Sequence, residues 1–173
     1  MGTVVCNVAK GRMVEFYNRV LTGDPAGARL VVEPISYSGS AATDAQIADV
    51  DDHKSAWTLL GLFTSRSQEA LSPAYTELAA ADLSALTPND ATDSFDISLP
   101  TVTIDIGKNG VPGLYDPAAR IAIFYAPIGY VLYVTDAGVN NMIPMAFADF
   151  VAPAHGDADD IIITFNANFL QES

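Results

Sequence analysis

The groups in this chain that could do chemistry are few: two histidines (His53 and His155), one cysteine (Cys6) and 21 acidic side chains. There is no His-Glu-x-x-His helix, no Gly-x-Ser-x-Gly elbow and no Walker loop. A Ser/His/Asp set can be drawn by chance from so many serines and aspartates, so it carries no weight. Gly107-Lys108-Asn109-Gly110 resembles a phosphate loop but lacks its spacing and following helix, and reads as a hairpin turn. Two acidic clusters offer oxygen ligands. Asp49-Val50-Asp51-Asp52-His53 could hold calcium or magnesium, or could cap a helix and complement its N-terminal dipole. Asp157, Asp159 and Asp160 follow Gly156 and could wrap calcium, although the spacing is not that of an EF-hand; a solvated turn is the plain alternative. Cys6 has no motif partner and reads as a small packed side chain. No cofactor is implied.

The elements that would position these groups are mainly strands. The last third of the chain reads as an antiparallel meander over residues 120–126, 130–135, 142–151 and 160–169, joined by short turns. In the last run Ile161, Ile163, Phe165, Ala167 and Phe169 alternate with Ile162, Thr164, Asn166 and Asn168. Tyr125, Tyr130 and Tyr133 then serve either as cross-strand packing or as an aromatic contact patch. Near the start, Met13, Phe16, Tyr17, Val20 and Leu21 have helical spacing, which predicts an amphipathic helix over about 9–22. Asn7 is its expected N-cap, Glu15–Arg19 an i,i+4 pair, and Gly23 followed by Asp24-Pro25 its stop. Residues 29–37 are β-branched, and Pro34 places them on an edge or at a bulge. A second helix, capped by Asp49, Asp51 or Asp52, would bury Ala56, Leu59, Leu60 and Phe63. A short strand is expected within 75–79, a turn centred on Pro88-Asn89-Asp90, and strands at 94–99 and 101–106. The fold class is therefore α+β: mostly antiparallel strands in a sandwich or partly open barrel, with two helices against one face or end.

At 173 residues the chain is one domain, or a domain (30–173) preceded by an arm and helix (1–29). A chain of this size buries about 70% of the surface its unfolded form exposes, so a core needs no metal or disulfide. No apolar run is long enough to span a membrane, and the N-terminus lacks the pattern of a secretory signal. The net charge of −13 opposes binding to nucleic acid or anionic lipid. That charge is uneven: residues 1–29 carry +2 and the remaining 144 carry −15. Two differently directed surfaces would follow, unless the division is accidental.

The run Asn7-Val8-Ala9-Lys10-Gly11-Arg12-Met13-Val14-Glu15-Phe16-Tyr17-Asn18-Arg19-Val20, with Gly23-Asp24-Pro25-Ala26, resembles a family of small structural proteins of tailed bacteriophages, often phages of actinobacteria. The resemblance is collinear over most of the chain. It continues through Asp44-Ala45-Gln46-Ile47 and Asp51-Asp52, Pro88-Asn89-Asp90-Ala91-Thr92-Asp93, and Leu99-Pro100-Thr101-Val102-Thr103. It ends with Ile143-Pro144-Met145 to Asp149-Phe150 and Asn166-Ala167-Asn168-Phe169. The chain departs from the pattern at Phe169-Leu170-Gln171-Glu172-Ser173, where the family has a glycine and paired aromatics ending in Arg-Ala. The resemblance implies a virion part rather than an enzyme. The expected role is a decoration (cement) protein on the capsid exterior, bridging subunits of the major capsid protein as a homo-oligomer. A tail or neck ring subunit and a host-surface-binding module are the alternatives. The expected interface is the N-terminal segment, residues 1 to about 29, for its relative excess of positive charge and its amphipathic helix, through Arg12, Met13, Phe16, Tyr17, Arg19 and Val20.

Overall fold

The computed structural model describes residues 3–35, 43–52, 55, 75–91, 94–104, 120–127, 142–149, 161–165 and 170–172. In chain order its elements are β1 (Thr3–Val5), α1 (Met13–Thr22), β2 (Arg29–Ile35), α2 (Asp44–Ala48), β3 (Thr76–Leu78), β4 (Thr87–Asn89), β5 (Ser94–Ile97), β6 (Val102–Ile104), β7 (Arg120–Ala126), β8 (Ile143–Asp149), β9 (Ile161–Ile163) and β10 (Leu170–Glu172). Every strand pairing is antiparallel, and the class is α+β, an open arrangement rather than a closed barrel.

The main sheet has five strands in the order β1-β8-β7-β2-β3, with β7 at its centre. Residues 121–126 of β7 are all buried, because each face of the sheet is covered. Leu30, Val32, Ile121, Ile123 and Tyr125 meet α1 on one side. Val31, Ala122, Phe124, Ala126 and Phe147 meet Ile47 of α2, with Cys6, on the other. α1 and α2 thus lie on opposite faces of the sheet. Two smaller sheets, β10-β5-β4 and β6-β9, add Ile97, Leu99, Val102 and Ile163 to the α1 side.

The expected meander, in which the run 130–135 would stand between 120–126 and 142–151, is not formed. β7 and β8 are neighbours, but β7 has β2 on its other edge, and β9 pairs with β6 outside the main sheet. Burial accounts for this: β9 hides Ile163 and leaves Ile162 62% exposed, the alternation of a one-sided ribbon rather than of an inner strand. The run 130–135 lies outside the described residues.

The two prolines in strands of the main sheet sit where a missing N–H is tolerated. β2 is an inner strand, not the expected edge. It pairs with β3 only over Leu30–Val32, however, so Pro34 falls where that neighbour has ended and only β7 remains. In β8, the register with β7 slips by one residue between Ile123 and Phe124, a bulge that skips Met145 next to Pro144. The Met145 carbonyl is used elsewhere, accepting the Cys6 N–H at 3.0 Å.

α1 begins four residues later than its hydrophobic spacing suggests. Gly11 has φ +72°, a left-handed conformation that an α-helix cannot contain, so residues 7–12 form turns before the helix starts. Arg12 occupies the N-cap without a side-chain cap, and Asn7 points elsewhere. The other end follows expectation. Gly23, at φ +68°, donates its N–H to Val20 O (3.1 Å), and Asp24 donates to Arg19 O (2.9 Å), a Schellman closure. A Cβ at Gly23 would meet nothing within 4 Å, so the cost of substitution is purely conformational. Gly23→Ala is expected to lower stability by about 1 kcal/mol in urea unfolding, with Gly23→Asn costing less because asparagine tolerates the left-handed region.

α2 starts on Thr43, whose hydroxyl accepts the Gln46 N–H while the Gln46 side chain accepts the Thr43 N–H, a capping box. Beyond it, Ser55 donates its N–H to Asp52 Oδ1 at 2.6 Å. The stripe Ala56–Phe63 expected beyond it lies outside the described residues. The strand within 75–79 is β3. Pro88 and Asn89 belong to β4, and the turn begins at Asp90. The strands expected at 94–99 and 101–106 are the shorter β5 and β6, separated at Pro100.

Candidate functional site

The residues expected at an interface fall into two groups. Met13, Phe16, Tyr17 and Val20 are buried in the chain's own core. The Phe16 ring stacks on Tyr125, with centroids 4.8 Å apart and planes 13° from parallel. The Tyr17 hydroxyl donates to the Ser84 carbonyl at 2.8 Å, with the Ser98 carbonyl 3.3 Å away. Burial raises the Tyr17 pKa above the usual phenol value. These four side chains are therefore not a contact surface. They join α1 to the sheet and to the loop before β4, and residues 3–29 are built into the fold rather than hung from it as an arm.

Arg12 and Arg19 face outward. Arg12 Nε lies 3.1 Å from Glu15 Oε2, and Arg19 Nη2 lies 2.8 Å from Glu15 Oε1, so one carboxylate is shared by two guanidinium groups. The Arg12 hydrogen bond is the main reason the Glu15 pKa falls below the usual carboxylate range, with the charges of Arg12 and Arg19 acting in the same direction. The Arg12 guanidinium also rests over the Phe16 ring, 4.5 Å from its centroid. Lys10 donates to Asn7 Oδ1 at 2.6 Å. This leaves the outer face of α1 with a cationic excess, held in a fixed arrangement by its own ion pairs and by the ring beneath.

Asp44 and Asp49 have local partners. Asp49 Oδ1 accepts from Asn7 Nδ2 (2.6 Å), which explains why Asn7 does not cap α1. Asp44 Oδ1 binds Arg120 Nη2 at 2.8 Å, and the same arginine reaches Asp149 Oδ1 through Nε at 3.3 Å. Among the described residues no three His, Cys, Asp or Glu side chains are placed to hold a metal ion. Asp157, Asp159, Asp160, His53, His155, Tyr130, Tyr133 and the 107–110 turn lie outside the described residues.

Cys6 is fully buried, with Sγ 3.8 Å from the Ile47 carbonyl. Burial pushes its thiol up to about 12, against a smaller lowering by Lys10, which makes it a packed group and a poor nucleophile. Two features escaped sequence reasoning. The Thr43–Gln46 capping box was visible as Thr-x-x-Gln before an apolar residue. Arg120 gave no signal beyond being a lone cation at the head of an apolar strand.

No family model, curated protein or solved structure matches this chain. The likeness to phage virion proteins accordingly rests on the ordered residues quoted above.

Proposed function

We propose that this chain is a non-enzymatic structural component of a tailed-phage virion, a decoration protein that sits on the capsid exterior and bridges major capsid subunits as a homo-oligomer. The observation that carries the reading is the collinear resemblance from Asn7 to Phe169. The geometry adds support. Cys6 is buried and protonated, while Glu15, Asp44, Asp49 and Asp52 serve as ion-pair or hydrogen-bond partners within the chain. The part of α1 offered to a capsid is its outer face, with Arg12 and Arg19 on it and the apolar stripe reserved for the core.

Charge reversal tests this more cleanly than truncation, because Thr3–Val5 pair with β8 and their removal would damage the sheet. The double variant Arg12→Glu, Arg19→Glu is expected to fold and to lose co-sedimentation with empty capsids, and wild-type binding is expected to weaken as salt is raised. Undiminished binding by the folded variant refutes the interface. Rings or tubes formed by the purified chain without capsids would assign it to the tail or neck instead.

A further inference from the structure

A helix of five residues does not hold itself together in water, so α2 exists because of what it is fastened to. Its apolar hold is Ile47, fully buried, and Val50 just beyond its end. Among the described residues its polar ties to the rest of the fold are few. The Asn7 N–H donates to the Ala48 carbonyl at 2.7 Å, Asn7 Nδ2 donates to Asp49, and Arg120 binds Asp44. The Arg120 clasp is incomplete: its Nη1 is buried without an acceptor, and the Asp44 side chain it holds is 72% exposed. None of these ties belongs to the strand ladders of the main sheet, which run between β1, β8, β7, β2 and β3 without α2. Beneath the helix lies the Cys6 thiol, against the Ile47 carbonyl.

We infer that α2 is a latch: it lifts from the sheet as a unit while the five strands stay paired, and in doing so uncovers Cys6. The contrast with α1 is physical. α1 puts four large side chains into the core and is bonded through Tyr17 to a separate part of the chain, so it leaves only when the whole domain unfolds. Among the described residues, α2 and the turn after it contribute two aliphatic side chains and a few polar ties, which places the opening at the low end of the stability range within one fold. The latch lies on the face of the sheet opposite α1. It rests on this geometry alone and not on the virion reading.

Cys6 is the chain's only cysteine, so the rate at which the intact protein reacts with Ellman's reagent under native conditions reports the opening. Measured across urea concentrations below the unfolding transition, the wild-type rate is expected to rise with a slope that is a small fraction of the equilibrium unfolding slope, because little surface is exposed. Arg120→Gln is expected to speed labelling roughly three- to five-fold, and Ile47→Ala by at least about tenfold. Labelling that carries the full urea slope of global unfolding, or that is indifferent to both substitutions, overturns the latch.

Discussion

Phe16→Ala is expected to destabilise the protein by about 3–5 kcal/mol, seen as a lower urea midpoint with an unchanged slope. The ring is 1% exposed and stacked on Tyr125, and its neighbours Met13, Tyr17, Val20, Ile121 and Ile123 are held by their own backbone elements, so the void cannot collapse fully. Against a total stability of order 5–15 kcal/mol, that is a large share. Arg12→Ala, four residues earlier on the same helix, should cost no more than about 0.5 kcal/mol, because its side chain is exposed and its ion pair is solvated. The contrast tests how α1 is used. A helix whose apolar stripe waited for a capsid would lose affinity but little stability when Phe16 is cut. Here the order is reversed, with stability residing in Phe16 and the proposed contact in Arg12 and Arg19. A loss below about 1 kcal/mol for Phe16→Ala would mean that the stripe is not the core contact described above.

How much of this was legible in the sequence depended on whether a local rule or a long-range neighbour decided the outcome. The bounds of β7 could be read directly, because Arg120-Ile-Ala-Ile-Phe-Tyr-Ala is a continuous apolar run after a single charge. Such a run is also the mark of a strand covered on both faces, a sign that the expectation of helices against one face or end did not use. Gly23 was readable as a helix stop because its left-handed cap is a local requirement. Gly11, with the same conformation, was not, since Met13, Phe16, Tyr17 and Val20 keep a helical period that extends naturally backwards across it. Pro34 pointed to an edge and lies in an inner strand. The rule concerns individual backbone groups rather than whole strands, and the length of β3 cannot be read from β2.

The candidate surface shows the same division. Helical spacing identified which residues of α1 share an apolar stripe, but it does not say whether the stripe meets the chain's own sheet or another subunit. Tyr125, 109 residues beyond Phe16 in the chain (125 against 16), settles that by stacking on it. Arg120 is the stronger case. Its partners Asp44 and Asp149 come from α2 and β8, and only the assembled sheet brings three such distant positions together.

Raising the pH from 9 to 12 is expected to remove as much as about 4 kcal/mol of stability through Cys6 alone. In the folded protein burial raises the thiol from 9.0 to about 12, while in the unfolded chain it titrates near its ordinary value. Below pH 9 both states keep the proton and the group is neutral to stability. Between pH 9 and about 12 the unfolded state has lost its proton and the folded state has not, so the unfolded state binds fewer protons and stability falls as pH rises. Tyr17, whose pKa burial also raises, acts with the same sign, so the wild-type slope alone does not isolate Cys6. Cys6→Ala does. The difference between wild type and Cys6→Ala in urea unfolding should be constant below pH 9 and should shrink or reverse steadily above it, since the alanine variant has no proton to lose at this position. Parallel pH profiles for the two proteins would mean that the thiol ionises in the folded state nearly as easily as in the unfolded chain. That result would contradict the burial of Cys6 beneath α2, or would show that the opening of α2 is so frequent that the closed form no longer controls the titration.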